Sequence, residues 1–206
     1  SRIGEHLSGE MKKDSTIHLS HFRNLLPDMK LSLTAARDNP LYTFMDQYNI
    51  GFNSLHFEAT TSPKEGFNMD GGLYVLMRDT SRYDTIRVVV RQDSVGLLYN
   101  AALIKKPYRQ QTSFTATVSG KVRDDFADAL FRYADGTGKT GVLLGVRAEM
   151  AKEGFRFHVF PDNPILAYRD FTINNDNEIW FKSKKDISAN LRLKGEKNMS
   201  LWLHSV

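Results

Sequence analysis

The sequence predicts a mainly β protein: an antiparallel meander forming a curved, U-shaped or sandwich-like sheet, with one short helix near residues 40–49. Three observations carry this. From residue 54 onward apolar and polar residues alternate in run after run, which puts successive side chains on opposite faces of pleated strands. The connections between runs are short, and short connections between amphipathic strands make antiparallel neighbours. The helical pattern opens at Asn39-Pro40, with Asp38 or Asn39 as cap and Pro40 in the first turn, and runs to about Asn49 before Gly51 stops it.

In chain order, the first dozen residues are polar and expected to fray. Ile17 with Leu19, and Leu31 with Leu33, allow two short strands before the helix. Leu55, Phe57 and Ala59 then alternate with His56, Glu58 and Thr60, and Leu73, Val75 and Met77 follow the turn signal Asp70-Gly71-Gly72. Ile86, Val88 and Val90 make the next run, Leu97 to Ile104 is apolar on both faces except for Asn100, and Phe114, Ala116, Val118 and Val122 form another. Ala129, Phe131 and Tyr133 precede Val142, Leu144 and Val146, and Phe155, Phe157 and Val159 follow. Ile173, Ile179 and Phe181 lead to Ile187, Ala189, Leu191 and Leu193, and then to Met199, Leu201 and Leu203, for about ten strands beyond the helix. Turns are expected at Asp135-Gly136, Glu153-Gly154, Asn174 to Asn177 and Lys194 to Asn198. Nothing forces a domain boundary, so residues 1–206 read as one β-rich domain. A strand pattern that continues to Val206, together with a first residue Ser1, predicts a piece of a longer protein.

Composition narrows the class. The 206 residues are 41% hydrophobic and 25% charged with net charge +4, an ordinary balance for a packed domain rather than a disordered or collagen-like chain. Cys is absent, which excludes a thiol nucleophile and a thiolate metal site and is compatible with either an oxidising or a reducing compartment. The basic residues are spread, with small groups at Lys12–Lys13, Lys105–Lys106 and Lys182–Lys185, and spread charge is a solvated face rather than a nucleic-acid stripe. No stretch reaches the ~18 apolar residues of a membrane span.

Five features invite a chemical reading. Gly136-Thr137-Gly138-Lys139-Thr140 resembles the end of a phosphate loop, but Tyr133 occupies the position of the required first Gly and a strand follows, so a hairpin turn with Lys139 and Thr140 solvated at its tip is expected. His18 and His21 share a face only on a helix. Asp124, Asp125 and Asp128 are an acidic group that reads as a charged strand entry, and Asn174, Asp176 and Glu178 imitate calcium ligands but lack the bend-making Gly, Ile179 standing there instead. No Ser sits in a Gly-x-Ser-x-Gly elbow. No catalytic, cofactor or metal residue is therefore assigned. Tyr74, Tyr99, Tyr108, Tyr168, Trp180 and Trp202 leave open a carbohydrate-binding β-sandwich that stacks sugars on exposed aromatics.

The stretch Phe160-Pro-Asp-Asn-Pro-Ile-Leu-Ala-Tyr-Arg-Asp-Phe-Thr-Ile-Asn-Asn-Asp-Asn-Glu-Ile-Trp-Phe181, followed by Ile187-Ser-Ala-Asn-Leu-Arg-Leu193 and Leu201-Trp-Leu-His-Ser205, resembles a segment of the TamB-like translocation and assembly module proteins of Bacteroidetes-type bacteria, part of the AsmA-like superfamily. Gly138-Lys-Thr-Gly-Val-Leu-Leu-Gly-Val-Arg-Ala148 is similar to the strands just upstream in that family, so the likeness spans about residues 130–206. It implies a long β-sheet folded into a groove with an apolar interior, in a periplasmic protein anchored in the inner membrane and reaching toward an outer-membrane barrel. It also implies a role in envelope assembly and phospholipid transport, acyl chains or a barrel protein as partners, and no catalytic residues. The expected apolar face within this span is Val142, Leu144, Val146, Phe155, Phe157, Val159, Ile187, Leu191, Leu193, Leu201 and Leu203.

Overall fold

A computed structural model describes residues 27–78, 80–183, 186–196 and 199–205. The expected strand at Ile17 and Leu19 and the His18–His21 pair lie outside them. The elements are β1 (Met29–Ala36), α1 (Pro40–Asp46), β2 (Ile50–Gly51), β3 (Ser54–Ser62), β4 (Gly66–Arg78), β5 (Ser81–Gln92), β6 (Leu97–Lys105), β7 (Phe114–Val122), β8 (Phe126–Asp135), β9 (Thr140–Ala151), β10 (Gly154–Leu166), β11 (Arg169–Ile173), β12 (Glu178–Ser183), β13 (Asp186–Gly195) and β14 (Ser200–Ser205). All strands belong to one 14-stranded sheet. β1, β3 and then β4 to β10 follow one another as an antiparallel meander, and β14 pairs with β13 at the far side.

The helix starts where the sequence places it. Asn39 adopts an extended conformation and its Oδ1 accepts the Leu41 amide at 2.9 Å, while Pro40 occupies the first turn, where its missing N–H costs nothing. It ends at Asp46 rather than near Asn49, because Gln47 to Asn49 close two tight turns and Asn49 takes a left-handed φ of 56°. Tyr42 of α1 meets Phe52 edge-on at 5.3 Å, and Phe52, 1% exposed, is the anchor of this corner.

Register shows how alternation becomes a surface. Leu33, Phe57, Gly71, Val88, Ala101, Val118, Phe131 and Leu144 are successive cross-strand partners from β1 to β9, forming one apolar row across the sheet. The next residue on each strand faces the other way: Ser32, Glu58, Asp70, Val89, Asn100 and Ser119 form a row that is polar except for Val89. Strands pack on their hydrogen-bonded neighbours and α1 sits at the β1–β2 corner. Among the described residues no second layer covers the apolar face, where Phe155 stays 51% and Val146 40% exposed. Of the two arrangements the sequence leaves open, the described residues form a single sheet rather than a sandwich. Among the described residues fully buried apolar side chains are few, so their stability rests on the ladders and on cross-strand side-chain pairs.

Two expected turns are not turns between neighbouring strands. Asp70-Gly71-Gly72 lies inside β4. The two missing side chains are replaced by rings from β3 and β4: Phe57 lies 3.4 Å from where a Cβ on Gly71 would be, and His56, stacked on Tyr74, covers Gly72. Asn174 to Asn177 likewise joins strands that do not pair. β11 and β12 run end to end in a single lane between β10 and β13: β11 pairs with Ile165–Leu166 and Leu193–Gly195, and β12 with Phe155–Phe157 and Ile187–Asn190. Asparagine amides fill the gap in the ladder on both sides. Asn177 Oδ1 accepts the Val159 amide at 2.7 Å and its Nδ2 donates to the Val159 carbonyl at 3.2 Å; Asn174 Oδ1 accepts the Arg192 amide at 2.7 Å and its Nδ2 donates to the Asn190 carbonyl at 3.3 Å. A primary amide presents the same donor and acceptor as a peptide unit, so each Asn stands in for a missing strand residue.

Candidate functional site

The expected face residues fall on one side of the sheet. Val146 pairs with Val159, Phe155 with Phe181, Phe181 with Ile187, Leu191 with Leu203 and Leu193 with Leu201. Val142, Leu144 and Phe157 keep the same phase on β9 and β10. Of these residues Leu193 alone is buried; Val146, Phe155, Ile187, Leu201 and Leu203 are exposed and Val142, Leu144, Phe157, Val159 and Leu191 half-buried. The face does not stop at residue 142. It continues to Met29, Leu31 and Leu33 on β1, and in its middle Ile86, Val88, Ala101, Leu103, Ala116 and Val118 line a hollow of ≈ 180 Å³, dipping where the small Ala101 and Ala116 sit among larger neighbours. The alternation of β5, β6 and β7 signals these residues in the sequence, but which of them meet is fixed by pairing register.

The phosphate-loop resemblance dissolves in the β8–β9 turn. Asp135 Oδ1 accepts the Thr137 hydroxyl at 2.6 Å and the amides of Thr137 at 2.9 Å and Lys139 at 3.1 Å, which takes the donors that a phosphate would need; the hydroxyl first, then the amides, hold the Asp135 carboxyl below its usual pKa. Gly138 supplies the left-handed φ of 85°. Two details differ from expectation: Lys139 Nζ lies 5.6 Å from the centre of the Tyr168 ring, and Thr140 accepts a 3.3 Å bond from Arg132, so neither is simply solvated.

The acidic groups are likewise used locally. Asp128 is buried, accepting the Lys121 amide at 2.9 Å and Arg147 at 3.0 Å. Asp176 is held by Asn174 Nδ2 at 2.9 Å and Asn190 Nδ2 at 2.8 Å. Among the described residues no three His, Asp or Glu side chains gather in a way that could hold a metal ion. The aromatic set is dispersed: Tyr99 donates to the Asp128 carbonyl at 2.7 Å on the apolar face, Tyr108 lies under Arg82 and Arg109, and Tyr168 sits at the β10–β11 turn. Trp180 and Trp202 alone share a polar neighbourhood, on β12 and β14.

The β5–β6 turn carries a two-point ion pair. Arg123 grips both oxygens of Asp93, at 2.5 and 3.0 Å, and the Val95 and Gly96 amides each donate to Oδ1 at 2.9 Å. Arg123 first, then these amides, lower the Asp93 pKa to about 2. Because the folded value lies below that of an unfolded Asp, the stabilisation is complete above about pH 4 and is lost as pH falls toward 2. The melting temperature should therefore drop over that window, and Asp93→Asn should flatten the drop, by about 1 kcal/mol after allowing for solvent screening of a pair this exposed. An unchanged acid slope in the Asn variant would remove this pair from the account.

No protein-family model, curated protein or solved structure matches the chain. Among the described residues no helix is long and apolar enough to cross a membrane.

Proposed function

We propose that the chain is a non-enzymatic segment of a periplasm-spanning envelope protein, acting as a scaffold or apolar conduit in outer-membrane assembly or phospholipid transport. The observation that carries the reading is the apolar face running from β1 to β14, which among the described residues has no covering layer. Faces of this extent on a soluble surface mark a partner, and an acyl chain is one that needs no polar contact along its length. The resemblance over about residues 130–206 supports the same reading, and adds an outer-membrane barrel protein as a partner at one end.

A photo-reactive residue placed at position 118 or 191 of the apolar face should crosslink to phospholipid in cell extracts, and one at 119 or 190 on the opposite face should not. Val88→Asp, at the hollow, should reduce lipid capture severalfold at a stability cost of about 1–2 kcal/mol, since water already reaches this half-buried position. A folded protein without adducts from the apolar face, or with equal adducts from both faces, would end the conduit reading.

A further inference from the structure

The opposite face carries a hollow of different chemistry. Pairing puts Glu178 of β12, Asn190 of β13 and His204 of β14 in one cross-strand row, with Ser188 and Arg192 two residues to either side on β13. Asp176 enters from the break between β11 and β12, and together these side chains line a concavity of ≈ 420 Å³, within the range of small-ligand pockets. Trp180 pairs with Ser188 and Trp202 with Arg192, so both indoles project from this face at opposite corners of the hollow. They differ in availability. Trp180 is engaged by cations, with Arg156 at 4.1 Å and Lys182 at 4.4 Å from its ring, whereas Trp202 is 69% exposed beside the hollow.

Within the hollow the polar groups are partly preorganised and partly unspent. The Asn174 and Asn190 amides fix Asp176. Glu178 has only a loose pairing with Arg156 at 3.8 Å, and Arg192 attracts the Asp176 carboxylate through space without a hydrogen bond to it. We propose that this hollow binds a neutral saccharide, with Trp202 as the stacking platform and Glu178, Ser188, Arg192 and His204 as partners for its hydroxyl groups. A sugar hydroxyl both donates and accepts, which suits an acceptor, a fixed donor and two groups able to do either. A pyranose also presents an apolar C–H face, which is what an exposed indole beside polar groups covers. The lining itself sets two carboxylates, Asp176 and Glu178, against one guanidinium, Arg192, while Arg156 and Lys182 lie over the Trp180 ring, so the walls do not select an anion, and their polarity offers an acyl chain nothing. Asp176 already accepts an amide N–H on each oxygen, and among the described residues no three His, Asp or Glu side chains gather here to hold a metal ion. The site is on the face away from the proposed lipid surface and does not depend on that reading.

The test is titration of the 206-residue chain with cellobiose, maltose and N,N′-diacetylchitobiose, followed by indole fluorescence and saturation-transfer NMR. At least one disaccharide should bind saturably with a Kd on the order of millimolar. Trp202→Ala and, separately, Arg192→Ala should each weaken that binding by about tenfold or more, while Val88→Asp on the apolar face leaves it unchanged. Inorganic phosphate should not compete. Absence of saturation by all three sugars at about 20 mM, competition by phosphate, or unchanged affinity in both hollow variants with circular dichroism intact would overturn the proposal.

Discussion

Gly120→Val is expected to cost roughly 3 kcal/mol or more and to lower the urea midpoint further than any charge substitution on the apolar face. Gly120 lies on β7, paired with Tyr99 of β6 and Ala129 of β8. The Tyr99 ring lies across the position its side chain would fill and reaches over β7 to the Asp128 carbonyl, at 2.7 Å. A Cβ at 120 would run into that carbonyl oxygen and into the phenol, so neither can yield without giving up the hydrogen bond. Burial raises the Tyr99 pKa, as expected of a phenol whose hydroxyl is turned away from water. Tyr99→Phe separates the two contributions: it removes the bond but leaves the space, and should cost about 1 kcal/mol. Equal midpoints for Gly120→Val and the parent would mean that the ring does not lie there. The same device recurs where Phe160 of β10 covers Gly145 of β9, which makes ring-over-glycine packing the substitute, in a one-layer sheet, for the core that a second layer would provide.

What the sequence shows well is what depends on one strand at a time. Side-chain direction alternates along a strand whatever it pairs with, so Ile187, Ala189, Leu191 and Leu193 separate from Ser188, Asn190, Arg192 and Lys194 without knowledge of any neighbour. The Asn39 cap and the Asp135 turn are legible for the same reason, since each is satisfied within a few residues. Layer number is not legible, because an amphipathic strand has the same alternation whether its apolar face meets a second sheet, a ligand or solvent. Gly71-Gly72 and Asn174 to Asn177 mislead for a related reason. Both carry turn composition, and both are drawn into strand lanes by side chains that are distant in sequence or bond across the lane: Phe57 and His56 in the first case, the two asparagine amides in the second.

The two candidate surfaces were visible to different degrees. The apolar face between residues 142 and 203 follows from alternation, but its extension through Val88, Ala101 and Val118 requires the register that joins β5, β6 and β7. The polar hollow is further from reach. Asp176 and Glu178 stand out only as an imitation of calcium ligands, and Asn190 and His204 look like ordinary surface residues; they meet because β11 and β12 share one lane, which brings the loop between them against β13. An unbroken hairpin at Asn174 to Asn177 would have placed Trp180 and Trp202 elsewhere.

That shared lane yields the second large effect. In a sheet without a covering layer each strand is held by its neighbours alone, so a defect should loosen the strands beyond it rather than the whole molecule. Asn177 is 7% exposed and its side chain makes three bonds, two to the Val159 backbone N–H and C=O and one, at 3.1 Å, to the Asn174 carbonyl; its own carbonyl meets His158 Nδ1 at 2.7 Å. Asn177→Ala leaves the Val159 amide and carbonyl without partners in a closed strand lane, for an expected local loss of about 2–4 kcal/mol. Hydrogen exchange should report this as lost protection in β12, β13 and β14 with protection kept in β4 to β8, while Asn175→Ala, at an exposed position of the same loop, stays within about 0.5 kcal/mol of the parent. Uniform loss across the sheet would show one cooperative unit instead of strands stabilised by their neighbours, and unchanged exchange would show that the lane is held without Asn177. Because Glu178, Ser188 and Trp202 all stand on the strands that Asn177 pins, the same variant should also weaken any disaccharide binding at the polar hollow while leaving lipid crosslinking from position 118 in place.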